Sequence, residues 1–389
     1  MNILTITTLY PNEKQFRLGI FIETRLRDLV KTGRISACVI APVPWFPFKS
    51  ERFKQYAVYA SIPEQEERHG ITIYHPRYLV IPKIGMLLTP FFMGISLNWK
   101  IIKLQKKAPI DLIDAHYFYP DGVAVALVNK YLKIPFIISA RGSDINLIPE
   151  NPLPRKMILW AAQQAQASVT VCKSLKDSMV KIGADENKIY VYRNGVDLEL
   201  FKPLNKKQCK EKYLVTSKTL VSIGNLIELK GHHLIIQALQ FLPDYKLLIV
   251  GAGEQEQSLK QLVETRQLTE RVIFLGEKQQ QELVEIYNAA DALILASSRE
   301  GWANVLLESM ACGTPVVATD ICGTPEVVKK PEAGVLVKRT PESIAEGVNQ
   351  LFNNYPARKD TRKYAEQFSW DSTTEGLLKL FSEVKNVPD

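Results

Sequence analysis

Residues 293–328, LILASSREGWANVLLESMACGTPVVATDICGTPEVV, constrain this chain more than any other stretch. The apolar run 292–296 is bounded by Ser297, Ser298 and Gly301, as suits a buried parallel strand entering a polar loop. From Asn304, the apolar positions Val305, Leu306, Met310 and Ala311 recur at roughly helical spacing. Gly313-Thr314-Pro315 then stops the helix before a second strand at 316–319. This order puts Glu300 at the carboxyl end of a strand and Glu308 inside the helix. A helix start offers unpaired N–H groups and a positive dipole end, which favour an anion such as a diphosphate. Open parallel sheets bind ligands outside those strand ends. Two carboxylates flanking such a start suit sugar hydroxyls on either side of a diphosphate, the outline of a nucleotide sugar. On spacing alone another reading stays open, with Glu300 capping the helix and Glu308 facing solvent.

Embedded in EGWANVLLESMACGTPVVAT, the E-x7-E pair and the A-C-G-T-P-V-V turn resemble the C-terminal signature of glycosyltransferase family 4. These are retaining enzymes of the GT-B fold. The resemblance implies an α/β chain of two Rossmann-like doubly wound domains facing each other across a cleft. It also implies that Glu300 contacts the donor sugar and Glu308 the ribose, with Gly301, Trp302, Ala303, Asn304 and Val305 in the same donor loop.

At 389 residues the chain exceeds the usual size of one core, so two domains are expected. Its charge of +8 is uneven: residues 1–200 hold 26 Lys+Arg against 17 Asp+Glu, the remainder 23 against 24. A basic half can serve nucleic acid, an anionic membrane surface or an acidic substrate. Zinc-finger spacing, an aromatic single-strand platform and dense Arg/Lys tracts are all missing, which ranks nucleic acid below the other two. Five scattered cysteines without C-x-x-C spacing favour a reducing compartment and no structural zinc. The start MNILTIT lacks a basic leader and reads as a first strand. The expected location is cytoplasmic, with the inner face of the membrane as the candidate peripheral site.

Residues 3–7 form an apolar, β-branched run before Leu9-Tyr10-Pro11, Gly19 and an amphipathic helix at 21–29. Gly19 therefore sits in the loop where a doubly wound domain binds ligand, either as a turn glycine or to admit a phosphate or acceptor. Strands follow at 38–41 and 71–74, on either side of the charged stretch 64–68. Residues 84–99 are nearly all apolar, with Pro90 central, Lys83 before and Lys100, Lys103, Lys106 and Lys107 after. Sixteen such positions are too short to span a bilayer. Two readings stand: an interfacial element for anionic lipid, or a partly buried helix pair.

The strand in DLIDAHYFYPDGVAVALV ends near His116, which the resemblance places on the donor sugar. After strand 136–139, Arg141 can neutralise a phosphate or an acidic acceptor group, and Asp144 can hold Arg141 or accept an acceptor hydroxyl. Many family members carry histidine where Arg141 stands. Strands at 169–171 and 189–192 lead into Asn194-Gly195-Val196-Asp197, which resembles the family's interdomain segment.

Strand 219–223 enters Gly224-Asn225-Leu226, with Lys230-Gly231 three residues on. A lysine in this loop reaches a diphosphate as a point charge. The family pattern is G-R-L-x3-K-G, so Asn225 replaces a phosphate-binding arginine and leaves Lys230 as the main cation, although the amide still donates hydrogen bonds. Gly251-Ala252-Gly253 imitates a dinucleotide fingerprint, but Glu256 stands where its last glycine belongs, which speaks against a nicotinamide site. The resemblance instead makes Gly251, Gly253 and Gly276 donor-site loop residues. The tail 369–384 carries Leu377, Leu378, Leu380 and Phe381 at helical spacing, and in GT-B enzymes such a helix crosses back to the first domain.

The expected organisation is therefore an acceptor domain at 1–198, a nucleotide-sugar domain at 199–368 and a returning helix at 369–389. The expected activity is retaining transfer of a sugar from a nucleotide sugar, UDP-linked in preference to GDP-mannose, onto a glycan or lipid-linked acceptor of cell-surface polysaccharide or lipopolysaccharide. Glu300, His116 and Lys230 form the expected catalytic group, and the absence of a D-x-D pair in a suitable loop implies neither cofactor nor essential metal. An epimerase of the same fold and an inactive scaffold subunit are the alternatives.

Overall fold

Each of two parallel sheets is wound outward from its middle. The computed structural model describes residues 1–81 and 85–386. One compact unit comprises Met1–Arg193 with the helix Asp371–Lys385, and the other comprises Asn194–Trp370. The units thus part five residues before the expected 198/199 boundary.

The first unit holds β1 (Asn2–Ile6), β2 (Ser36–Ile40), β3 (Val43–Pro44), β4 (Gln65–Arg68), β5 (Ile71–Tyr74), β6 (Arg77–Tyr78), β7 (Leu112–His116), β8 (Phe136–Ser139), β9 (Ala167–Thr170) and β10 (Ile189–Val191). Its main sheet runs β10-β9-β8-β7-β1-β2-β5-β4. All neighbours are parallel except β4, which pairs antiparallel with β5. The sequence reading treats 64–68 only as a charged stretch. QEER has no apolar face to betray a strand, and its charges suit an edge. The short strands β3 and β6 pair separately, beyond the carboxyl ends of β2 and β5.

The second unit holds β11 (Lys218–Ile223), β12 (Tyr245–Val250), β13 (Val272–Gly276), β14 (Ala292–Leu295), β15 (Val316–Thr319) and β16 (Gly334–Val337), in the order β13-β12-β11-β14-β15-β16 and all parallel. Winding direction reverses between β1 and β7 in the first sheet and between β11 and β14 in the second. Loops leaving these strand pairs diverge to opposite faces, so each sheet opens a crevice at its switch point. His116 ends β7 and Glu300 follows β14, each at such a point.

The helix Gly85–Gln105 corrects the expectation for 84–99. Lys83 and Ile84, at the head of that expectation, lie outside the described residues. From Gly85 the chain forms one helix of 21 residues, neither a pair nor a short element, and it is long and apolar enough to cross a membrane by length and composition. Lys100 and Lys103 do not stop it, because lysine is a good helix former. Pro90 does not break it either. Proline cannot donate to the carbonyl of Met86, four residues back, and the Tyr119 hydroxyl donates to that oxygen instead. One side of the helix packs into the unit through Met93, Leu97 and Ile101.

Gly19 caps the helix Ile20–Lys31 at φ 62°, and a Cβ there would lie 2.1 Å from the Leu9 carbonyl oxygen. Gly33 shares the left-handed backbone at φ 70° but faces nothing within 4 Å. Gly33→Ala should therefore cost only backbone strain, about 1 kcal/mol, and Gly19→Ala roughly 2–4 kcal/mol from strain plus collision. Urea unfolding of the two variants measures the difference; equal losses would show that the Leu9 loop yields.

Candidate active site

In the second unit, the turn that carries Lys230 is fastened to the end of β14. Ser298 N donates to Leu229 O at 2.8 Å, and a Cβ on Gly231 would stand 2.2 Å from the Ala296 carbonyl oxygen. That approach brings Lys230 and Glu300 together from 70 residues apart: Nζ lies 2.6 Å from Oε1. Ser297 Oγ donates to the same carboxylate oxygen at 2.7 Å. Both partners are partly exposed, so the pair holds the cation at the crevice without sealing it in.

Beside the pair, the helix Asn304–Ala311 begins with no side-chain cap. Asn304 N donates to Trp302 O at 3.1 Å and Leu306 N to Ala303 O at 3.0 Å, and the positive end of the helix dipole lies at the same strand end as Glu300. Asn304 Oδ1 accepts from Asn194 Nδ2 at 3.3 Å. Trp302 and Ala303 are buried, while Gly301 and Val305 are half-buried. One helical turn in, Glu308 Oε2 accepts from the Tyr287 hydroxyl at 2.8 Å.

The glycine loops at the ends of β11 and β12 lie backbone against backbone. A Cβ on Gly251 would sit 1.9 Å from Gly224 O, and Leu226 N donates to Ala252 O at 2.9 Å. Gly253 and Gly276 are exposed at the same edge, as is Asn225. His232 supports this edge from below. Its Nε2 meets the Asn225 carbonyl at 3.2 Å, leaving Nδ1 to accept from Ser222 Oγ at 2.9 Å. Burial lowers its pKa to about 4, so the ring is neutral.

The first unit gathers a buried charge cluster under its own switch point. His116 Nε2 lies 3.0 Å from Asp114 Oδ2 and 3.0 Å from Arg25 Nη1, and Arg25 Nη2 reaches Asp114 at 3.3 Å. Arg141 Nη2 donates to His116 Nδ1. Arg25 Nη1 stands against both ring nitrogens, 3.3 Å from Nδ1 and 3.0 Å from Nε2, so the carboxylate decides the tautomer: Asp114 only accepts, which puts the imidazole proton on Nε2 and leaves Nδ1 to accept from Arg141. Burial lowers the His116 pKa to about 3. Burial alone would raise Asp114, but Arg25 and His116 hold it at about 2. Burial and then Arg25 pull Arg141 down to about 9.

Asp144 takes the first of its two expected tasks, holding Arg141, and does so through the backbone N–H. Its carboxylate accepts from Arg141 N at 3.0 Å, Gly142 N at 2.8 Å and Phe118 N at 2.9 Å. It pins the two loops that carry Arg141 and Tyr117, and it is fully buried rather than presented to an acceptor. Tyr117 is a non-glycine residue at φ 79°, a strained conformation immediately after His116.

Comparison with known proteins agrees with these two halves. The model of Glycosyltransferase Family 4 matches residues 39–200, and that of Glycosyl transferases group 1 matches residues 205–368. The D-inositol 3-phosphate glycosyltransferase of Corynebacterium urealyticum is 31% identical over 308 residues, 72% of this chain and 73% of that protein. The chain belongs to glycosyltransferase family 4. The putative teichuronic acid biosynthesis glycosyltransferase TuaC of Bacillus subtilis strain 168 is 27% identical over 90% of this chain and 89% of its own length. HepE of Anabaena, crystallised with UDP and glucose, superimposes with a TM-score of 0.76 at 22% identity, covering 98% of this chain and 100% of that one. The two-domain α/β fold of this glycosyltransferase is accordingly GT-B.

Several residues around the glycosyltransferase's crevices escape a reading of the sequence. Asp114 carried a signal, since D-x-H on one strand puts both side chains on one face. Arg25 and Tyr287 carried none, because their partners lie 91 and 21 residues away, and the short-range bonds of Ser297 and His232 depend on how the loops fold back.

His116 and His232 both have native pKa values below the ordinary histidine value of 6.5. The unfolded chain then binds more protons, so both contribute stability that is lost as pH falls from 6.5 towards 4. Asp121, raised to about 7 by burial, works oppositely, losing stability as pH rises through that window. Comparison with His232→Gln isolates one group. The variant should show a stability-versus-pH slope between pH 4 and 6.5 that is shallower by about one proton. Parallel slopes in chemical denaturation would mean that His232 is not buried neutral.

Proposed function

We propose that this glycosyltransferase moves a sugar from a nucleoside diphosphate sugar to a hydroxyl of a glycan or lipid-linked acceptor, with retention at the anomeric carbon and without a metal. The observation that carries the reading is the Lys230–Glu300 pair beside an uncapped helix start at the second sheet's switch point. The cation and the helix N–H groups suit the diphosphate, and Glu300 suits the sugar hydroxyls. Glu308, one helical turn deeper and braced by Tyr287, suits the ribose. UDP is favoured over GDP as the carrier, a preference supported by the UDP bound to HepE. The teichuronic acid role in TuaC's name supports a cell-surface polysaccharide as the product.

In the step itself, the bond from the anomeric carbon to the diphosphate oxygen breaks and its electron pair leaves with the diphosphate. The acceptor oxygen bonds to the same face of that carbon, and its proton passes to the departing phosphate oxygen. Retention puts that oxygen next to the attacking hydroxyl, so no separate protein base is needed. Lys230, the helix start and the Asn225 amide stabilise the charge that develops on the diphosphate. Asn225 is a weaker partner than the family's arginine, which concentrates that task on Lys230.

Calorimetric titration with UDP and with GDP tests the donor site. UDP should bind, and Lys230→Ala and Glu308→Ala should each weaken it about tenfold or more, the equivalent of ~1.4 kcal/mol. Glu300→Gln should leave UDP affinity within about threefold while lowering kcat for transfer about a hundredfold. EDTA should not change the wild-type rate. If neither nucleotide bound well-folded protein, an inactive scaffold would become the better reading.

A further inference from the structure

The helix Gly85–Gln105 has two apolar faces, and only one is used. Met93, Leu97 and Ile101 are buried in the first unit. The other side carries Leu87, Phe91, Ile95 and Trp99 in an unbroken i, i+4 stripe, with Ile95 60% and Trp99 77% exposed. A second exposed cluster, Trp45 and Phe48, continues the surface. Trp45 N donates to Tyr78 O at 2.7 Å, which brings it beside the exposed Leu79. Val80 in turn lies against the helix start at Gly85. An exposed apolar face of this extent marks an interaction surface.

Charge identifies what fits it. Residues 85–107 contain no Asp or Glu, and Lys103, Lys106 and Lys107 are exposed at the helix's far end. Lys49, Arg52 and Lys54 follow Phe48 in the chain against the single acid Glu51, and Arg52 lies over Phe53, the ring that stacks on Phe48. Aromatic side chains at a surface rimmed by cations match the interface of an anionic bilayer, where indole rings sit at the headgroup level and lysines meet lipid phosphates. A third of its most apolar window is buried against the first unit, through residues that include Met93, Leu97 and Ile101, which favours a helix lying along the interface over one that spans.

We propose that this face docks the first unit onto an anionic lipid bilayer, with the helix lying in the interface. The same helix is tied to the site: the Tyr119 hydroxyl that closes the gap at Pro90 belongs to the loop following His116. Docking therefore sets the bilayer beside the first sheet's switch point and selects an acceptor carried on a lipid. The acceptor class rests on the proposed transferase activity; the docking does not.

The test is co-flotation of the full chain with phosphatidylcholine vesicles, with and without about one third phosphatidylglycerol. Binding should be at least tenfold stronger to the anionic vesicles and should fall as salt approaches about 0.5 M. The double variant Ile95→Glu/Trp99→Glu should lose at least tenfold in binding, as should Lys103→Glu/Lys106→Glu/Lys107→Glu. These side chains are exposed, and circular dichroism with a thermal melt on the same preparations reports whether each variant's first unit is folded, while UDP titration reports on the second. Wild-type protein that binds UDP but no vesicle would overturn the docking and leave the transferase standing. Vesicle binding without nucleotide binding would do the reverse. Sedimentation gives the remaining outcome: a dimer that Ile95→Glu/Trp99→Glu dissociates, with no vesicle binding, would assign the face to a second copy and sink the proposal.

Discussion

The approach of the 228–231 turn to the end of β14 governs the second unit's chemistry. A peptide backbone within touching distance of the Ala296 carbonyl leaves no room for a side chain at position 231. That one close approach produces the fastening of Leu229 to Ser298, the meeting of Lys230 with Glu300 and the bridge from Ser297. Arg339 reinforces it, donating to Ala296 O at 3.0 Å and to Glu228 O at 3.1 Å, so both sides of the approach share one guanidinium. An ion pair in a partly exposed position contributes little stability on its own. Its geometry is inherited from the backbone packing beneath it.

The first unit solves a different problem, since Arg25, Asp114 and His116 are buried and Arg141 is half-buried above them. Arg25, Asp114, His116 and Arg141 place two guanidinium groups around one carboxylate and a neutral ring. Removing one member of such a cluster strands the remaining charges away from water, so the penalty exceeds the strength of any single pairing within it. Arg141, where the family often has histidine, is thus integrated with His116 rather than standing alone. Asp144 carries the loop geometry through three backbone donors.

The parallel sheets were legible because buried strands such as ALIL and the LLIV of β12 read as continuous apolar runs between polar loops. The carboxyl-end placement of His116, Lys230 and Glu300 came from that order alone. What stayed hidden depends on partners distant in sequence. The edge strand Gln65–Arg68 has no apolar periodicity, and its place is set by pairing with β5 and by Arg68 on Glu23 at 2.7 Å. The length of the helix Gly85–Gln105 was hidden because proline normally ends a helix, and only a hydroxyl some thirty residues onward shows why this one does not. Asp144 read either as a partner of Arg141 or as a group for an acceptor, because three backbone donors converging from two loops leave no trace in a linear sequence.

The helix Asp371–Lys385 gives the fold an order in time. Leu377, Leu380 and Phe381 share one buried cluster with Ile3, Leu112, Ile137 and Val169, so the first sheet's apolar face is covered by residues translated after the whole of Asn194–Trp370. On the ribosome the second unit has all its own strands and can close first, while the unit begun earlier waits with an open oily surface. A nascent chain of this protein therefore presents its greatest demand for chaperone protection late in synthesis, and at its amino-terminal half.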